Sequence, residues 1–317
     1  MARPVLLVLR ALGLGDLATV VPALRALRRH HPRYELVLAT PDPLAPLVAA
    51  TGAVDRLHMT PAYVRSPMQT LDWWGPRPRI AVNLHGSGPE SHRALLATGP
   101  DRLIAYACPA AGHLDGPQWN RDEHEVVRWC RLLRWAGMEA DPGDLSLPVP
   151  DPPRGRRGAV VIHPGASAPE RRWPLVRFAA LARVLARGGQ LVVVTGSRAE
   201  AGDAKAVVGG AGLPPSAVLA GRTDLAALCA LIAHARLLVS GDTGVAHLAT
   251  AYGTPSVVLF GPVAPTKWGP PPGRRQHIAL WHGPDGLTRI SVGEVCEAAT
   301  ALLRAPATSA RDAAAAR

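Results

Sequence analysis

The sequence predicts an α/β fold of two doubly wound, Rossmann-like domains facing across a cleft. Three observations carry that expectation. At 317 residues the chain is too long for one comfortable core and suits two domains of roughly 150 residues each. Short β-rich runs alternate with helical stretches along the whole length, the pattern of parallel α/β units and not of hairpins. Between two such series, residues 147–158 read LPVPDPPRGRRG, too rich in Pro, Gly and Arg for a buried element, and this stretch reads as a linker. Domains are therefore expected at 1–148 and 149–304, with the Ala-rich residues 305–317 as a frayed, flexible tail.

Taken in order, the strands of the first half are expected at 5–9, 35–39, 79–84 and 102–106. A helix over 17–30 follows the first strand, because Leu17, Val20, Val21, Leu24 and Leu27 recur on one face. In the second half the pattern predicts strands at 159–162, 191–194, 217–219, 237–239 and 256–260. Helices are expected between them at 174–186, 198–208, 224–233 and 244–251. In open sheets of this kind ligands bind beyond the carboxyl ends of the strands, and every distinctive loop of the sequence falls at such a place.

Composition excludes several classes of function. Apolar residues make up 48% and charged residues 19%, a globular balance and not a disordered one. A run of five apolar residues, Val5 to Leu9, precedes Arg10, and no uncharged apolar stretch of about 18 residues occurs anywhere. The expectation is a cytoplasmic protein with neither signal peptide nor membrane span. Cys108, Cys130, Cys229 and Cys296 lie far apart with no C-x-x-C pair, and neither D-x-D nor H-E-x-x-H occurs, so no metal site and no cofactor are expected.

Charge is unevenly divided. Residues 1–150 hold 16 Arg against 14 acids, or +2, whereas residues 151–317 hold 17 Arg and 2 Lys against 10 acids, or +9. The excess reads either as an Arg-rich, Lys-poor habit of composition or as suited to a phosphorylated small molecule in the second half, and it leaves open a peripheral contact with an anionic membrane, such as the inner face of the cell membrane. With aromatics at 4% and no stacking platform beside the charge, nucleic acid is not expected as a partner.

Four loops can carry chemistry. Gly13-Leu14-Gly15-Asp16, with Ala18, satisfies the dinucleotide pattern G-x-G-x-x-A, but a pyrophosphate on this helix N-terminus would meet the Asp16 carboxylate, and two anions repel. Asp16 then reads either as a helix N-cap or as a general base. His163-Pro164-Gly165-Ala166-Ser167 followed by Arg171-Arg172-Trp173-Pro174 reads as a diphosphate clamp of forked guanidiniums or as an exposed basic loop. In Thr195-Gly196-Ser197-Arg198-Ala199-Glu200 the carboxylate can accept from a ribose cis-diol, or simply suit the helix dipole. The fourth, Ser240-Gly241-Asp242-Thr243-Gly244-Val245-Ala246-His247, offers a hydroxyl and open amides to a phosphate at a helix N-terminus, with His247 one turn further on, and its Asp242 reads either as a structural cap of that helix or as a ligand of sugar hydroxyls.

The order of Gly15-Asp16 with Pro22 and Ala23, His163-Pro164-Gly165 with Arg172-Trp173-Pro174, and Asp242-Thr243-Gly244 with His247 and Phe260-Gly261-Pro262 resembles glycosyltransferase family 9, the ADP-heptose heptosyltransferases, over nearly the whole chain. The resemblance implies the glycosyltransferase B fold, with an N-terminal domain for the acceptor and a C-terminal domain for the nucleotide sugar. It implies an inverting, metal-independent transfer of a sugar, a heptose, from a nucleotide diphosphate donor, ADP-heptose, to a saccharide or glycolipid acceptor. Asp16 would be the general base, with Gly13, Gly15, His85 and Ser87 on acceptor-side loops. Ser167, Arg171, Thr243 and Gly244 would hold the donor diphosphate, Gly196, Glu200 and Thr223 the ribose and nucleotide, and Asp242 and His247 the donor sugar.

Two positions depart from the family pattern. Arg171 stands where Lys is common, and Asn83 with His85-Gly86-Ser87-Gly88 stands where an Asp followed by Leu-Gln is more usual; the first bears on the donor and the second on the acceptor. Alternatives on the same architecture are a transferase or epimerase for another nucleotide sugar and a non-catalytic nucleotide-sugar-binding protein. A nicotinamide oxidoreductase would use Gly13, Gly15 and Ala18 but leaves the Asp242 loop without a role.

Overall fold

The structure, a computed structural model, describes residues 3–63 and 70–305. The expected tail lies almost wholly outside the described residues. The chain divides into two compact units between Leu145 and Ser146.

In the first unit, β1 (Val5–Leu9), α1 (Leu14–Thr19), α2 (Val21–His30), β2 (Glu35–Thr40), α3 (Ala45–Thr51), β3 (Arg56–Met59), β4 (Ile80–Asn83), α4 (Glu90–Leu96), β5 (Arg102–Ile104) and α5 (Glu125–Trp135) follow one another. The strands form one parallel sheet in the order β3-β2-β1-β4-β5. All five residues of β1 are buried, as expected of a central parallel strand covered on both faces. Val5, Leu7, Leu9, Val37, Ala81 and Leu103 make the core on one of those faces.

The helix expected over 17–30 is two helices. Pro22 has no N–H to donate and its ring would crowd the carbonyl four residues back, so it is tolerated only in a first turn. The chain accordingly leaves helical geometry at Val20 (φ −98°, ψ 2°) and restarts with Pro22 inside the first turn of α2.

The second unit runs β6 (Val160–His163), α6 (Leu175–Arg187), β7 (Val192–Val194), α7 (Ala201–Ala211), α8 (Leu225–Ala233), β8 (Leu237–Gly241), α9 (Gly244–Tyr252), β9 (Ser256–Leu259), α10 (Pro265–Trp268), β10 (His277–Leu280) and α11 (Val292–Arg304). Its parallel sheet has the order β10-β9-β8-β6-β7. The strand expected at 217–219 is instead a 3-10 turn, Pro215–Ala217, with a single bridge from Val218 to Val194. Pro214 and Pro215 remove two consecutive backbone donors, so no ladder can start there.

Both sheets reverse their strand order once, between β1 and β4 in the first and between β6 and β8 in the second. At such a switch point the loops leave in opposite directions and open a crevice beyond the strand ends. Leu9 pairs with Asn83 and His163 with Ser240, so the residues that follow these four positions border the two crevices.

Candidate functional site

In the first unit the crevice is bordered by the Gly13–Asp16 turn after β1 and by His85 after β4. Asp16 sits in the first turn of α1, where its Oδ2 accepts the Gly13 N–H at 3.1 Å. Its other oxygen faces Arg10 Nη2 at 3.4 Å, and the side chain keeps 26% of its surface exposed. The carboxylate therefore caps the helix and still opens to solvent, so capping and proton transfer do not exclude one another. Gly13 and Gly15 line the turn, and Ser87 is exposed two residues beyond His85.

Arg10 is the residue that sequence reading missed. It is 1% exposed and spends its donors on Leu84 O at 2.6 Å, Asp16 O at 2.9 Å, Thr19 Oγ1 at 3.3 Å and Glu125 Oε1 at 3.0 Å. Its guanidinium stacks over Trp129. Burial pushes the Glu125 carboxyl upward, but Arg10 and Arg128, with the indole of Trp129, outweigh it and hold the group below the ordinary glutamate range. One signal was available: a cation directly after five buried apolar residues needs a buried partner.

His85 is held on two sides. Its N–H donates to Oδ1 of the fully buried Asn83 at 2.9 Å, and Asn83 is itself anchored on Ser91 and His92. Its ring Nδ1 accepts the Ala11 N–H at 3.3 Å. Burial and then the Arg10 charge lower its pKa to about 4.

In the second unit the structure brings the other motifs together. Arg171 ends a 3-10 turn, Pro169–Arg171, and ion-pairs with the buried Asp242 carboxylate. Arg172 turns away, donating to Ala166 O and facing Asp203 at 3.5 Å, so the two guanidiniums do not form one clamp. The backbone at 170–171 passes close over two glycines. A Cβ at Gly241 would stand 3.3 Å from Arg171 O, and one at Gly261 would stand 3.3 Å from Glu170 O; this close approach accounts for the glycine after Phe260.

Glu200 Oε2 accepts the Ser197 N–H at 2.7 Å, and its carboxylate occupies the space that a side chain at Gly165 would fill. Loops after β6 and β7 are thus in contact through Gly165 and Glu200. His163, half-buried beside Thr195, has its pKa lowered by desolvation, with Glu200 opposing that shift. Gly196 O accepts the Gly221 N–H at 3.0 Å, and Thr223 follows two residues on, before α8. Ser167 is exposed on the loop after β6.

At the head of α9, Thr243 is the N-cap with extended backbone (φ −144°, ψ 170°), yet its hydroxyl makes no capping bond. Thr243 Oγ1 is buried and unpartnered. Buried hydroxyls normally find a partner, and one left alone at a helix N-terminus suits a ligand oxygen. His247, one turn into α9, stacks edge-on against Trp268 at 5.8 Å. Among the described residues no three His, Cys, Asp or Glu side chains are grouped to hold a metal ion, and no helix is long and apolar enough to cross a membrane.

Comparison with known proteins adds a family and a fold. The family model of glycosyltransferase family 9 (heptosyltransferase) matches residues 120–287. Lipooligosaccharide heptosyltransferase 2 of Haemophilus ducreyi is 34% identical over 140 residues, 42% of this chain and 40% of that protein. Lipopolysaccharide heptosyltransferase 1 of Pseudomonas aeruginosa is 37% identical over 150 residues, 45% of this chain and 41% of that protein. The matched stretches therefore span about 40% of the length of these curated relatives. The solved structure of ADP-heptose LPS heptosyltransferase II of Escherichia coli superposes with a TM-score of 0.74 at 22% identity, covering 94% of this chain and 98% of that one. The fold is the glycosyltransferase B fold.

Proposed function

The chain belongs to glycosyltransferase family 9, and from that premise we propose that it is an inverting glycosyltransferase moving a heptose from ADP-heptose to a saccharide or glycolipid acceptor. The observation that carries this reading is the Thr243 hydroxyl, buried and unpartnered at the head of α9 within the loop that also holds Arg171 through Asp242. An arrangement of helix-terminal amides, a waiting hydroxyl and a guanidinium suits a diphosphate whose negative charge grows as it leaves.

The reaction is a single in-line displacement. Asp16 takes the proton from an acceptor hydroxyl as that oxygen attacks the anomeric carbon, and the nucleoside diphosphate departs from the opposite face. Ser167, Arg171, Thr243 and Gly244 meet the diphosphate. Gly196, Glu200 and Thr223 serve the ribose and nucleotide, and Asp242 and His247 the donor sugar. The basic excess of residues 151–317, 17 Arg and 2 Lys against 10 acids, supports an anionic donor in the second unit. The reading extends to a cytoplasmic enzyme that meets its acceptor at an anionic membrane face.

Incubation with a panel of ADP-, GDP- and UDP-sugars, scored for released diphosphate and for thermal shift, tests the reading. Release with ADP-heptose above all others is expected. Binding without turnover in the presence of acceptor glycans would return the chain to nucleotide-sugar binding alone. Because Arg171 and the α9 amides supply the positive charge, transfer is expected to survive excess EDTA. Loss on chelation, restored by Mg²⁺ or Mn²⁺, would require an ion at Asp242.

A further inference from the structure

We propose that His85 is a fixed Nε2–H donor that orients the acceptor sugar beside Asp16, an inference that rests on the transferase reading above. Geometry determines which nitrogen carries the proton. The Ala11 backbone can only donate, so the Nδ1 that meets it at 3.3 Å must present its lone pair. A neutral imidazole has one proton, which therefore sits on Nε2. Among the described residues no hydrogen-bond partner meets that Nε2, and the half-buried ring leaves it open to solvent.

Position supports the role. His85 and Asp16 follow adjacent, paired strands on the two sides of the switch point. One guanidinium, Arg10, donates both to the carbonyl of Leu84 and to the carboxylate of Asp16, tying the residue before His85 to the proposed base. Asn83 fixes the backbone of His85 and Ala11 fixes its ring, so little rotamer freedom remains to be lost when a ligand binds. Burial and then the Arg10 charge lower the ring's pKa to about 4, so it is neutral near pH 7. A neutral imidazole protonated at Nε2 and capped at Nδ1 donates but has no lone pair left for a proton. The acceptor proton then has one destination, Asp16, and the ring supplies direction to a hydroxyl or ring oxygen of an uncharged saccharide.

Two variants and one spectrum test this. His85→Asn keeps an acceptor within reach of the Ala11 amide but has no group at the Nε2 position, whereas His85→Gln places an amide N–H there. With acceptor varied at saturating donor, His85→Asn should raise the acceptor KM by about three- to tenfold, the worth of one neutral hydrogen bond. His85→Gln should recover most of that loss, and donor affinity should stay level in both. Long-range ¹H–¹⁵N correlation at pH 7, with the His85 signals assigned by their absence from His85→Asn, should show a bare Nδ1 and a protonated Nε2, without any substrate present. Equal acceptor KM values for the two variants and wild type would overturn the orienting role, and a protonated Nδ1 would overturn the fixed tautomer. Absence of any sugar transfer by the wild-type chain would overturn the transferase reading and the acceptor role with it, while the spectrum would still decide the donor.

Discussion

Arg10 and Glu125 lie 115 residues apart in the chain and meet at 3.0 Å, their side chains only 1% and 6% exposed. The pair ties the end of β1 to the start of α5, and the same guanidinium continues to the Asp16 turn. Removing one partner of a buried pair leaves the other charged, desolvated and alone. Glu125→Ala is therefore expected to destabilise the first unit by about 3–5 kcal/mol, read by chemical denaturation. Unchanged stability would mean that the Arg10 charge is satisfied by Asp16 alone.

Acidification should destabilise the chain before its carboxylates titrate. Burial, followed by the Arg274 charge, lowers the His277 pKa to about 4, below an unfolded value of about 6.5. The unfolded chain then binds the proton first, so stability is fully present above pH about 6.5 and is lost progressively down to pH about 4. Denaturation midpoints across that window should fall for wild type and fall less for His277→Gln. A parallel decline in both would assign the slope to other histidines.

Asp16→Asn should lower turnover by about 10²–10⁴-fold, the usual worth of a general base, with donor affinity unchanged. Asparagine still offers an oxygen to the Gly13 N–H, so the cap survives and the variant isolates proton transfer. Steady-state kinetics with both substrates is the measurement, and wild-type turnover would leave Asp16 with capping alone.

Arg171→Ala should weaken donor binding and flatten its dependence on salt. Because Arg171 pairs with the buried Asp242, the single variant also leaves a lone carboxylate facing the diphosphate. Calorimetry with free nucleoside diphosphate at two ionic strengths should therefore show a larger loss for Arg171→Ala than for the double variant Arg171→Ala/Asp242→Asn. Equal losses would mean that the carboxylate does not face the ligand.

Thr243→Val replaces a buried hydroxyl that bonds to nothing in the protein with a methyl of similar size. Stability should hold or rise, since an unsatisfied polar group is removed, whereas donor affinity should drop about three- to tenfold. Lower stability with unchanged affinity would point to a structural partner for the hydroxyl.

Local chemistry explains which of these features could be read directly. Strand ends followed by Gly, Asp, Ser or Arg located the Asp16, Ser167, Glu200 and Thr243 loops, because a parallel sheet puts its ligand side at the carboxyl ends of the strands. The break at Pro22 was equally local, yet the apolar spacing of Leu17 to Leu27 masked it. The pairing of Arg10 with Glu125 was out of reach: a cation after five buried apolar residues asks for a partner, but nothing near either residue names the other, and only the fold, in which α5 packs against α2, brings them together. Arg171 and Arg172 look equivalent as neighbours, but the 3-10 turn ends between them and sends Arg171 to Asp242 and Arg172 to Asp203.

Gly165 and Glu200 occupy one volume between them, and this bears on how the chain can change. What a Cβ at 165 meets is the end of a flexible side chain, not backbone, so Gly165→Ala would fold and would evict the Glu200 carboxylate from its place beside Ser197. The two positions are epistatic: alanine at 165 is neutral once residue 200 is short, and a glutamate at 200 keeps its present pose only while 165 remains glycine. Any mutational library that samples these two loops should vary them as a pair, since single-site scanning would record position 165 as permissive for folding and miss its grip on position 200.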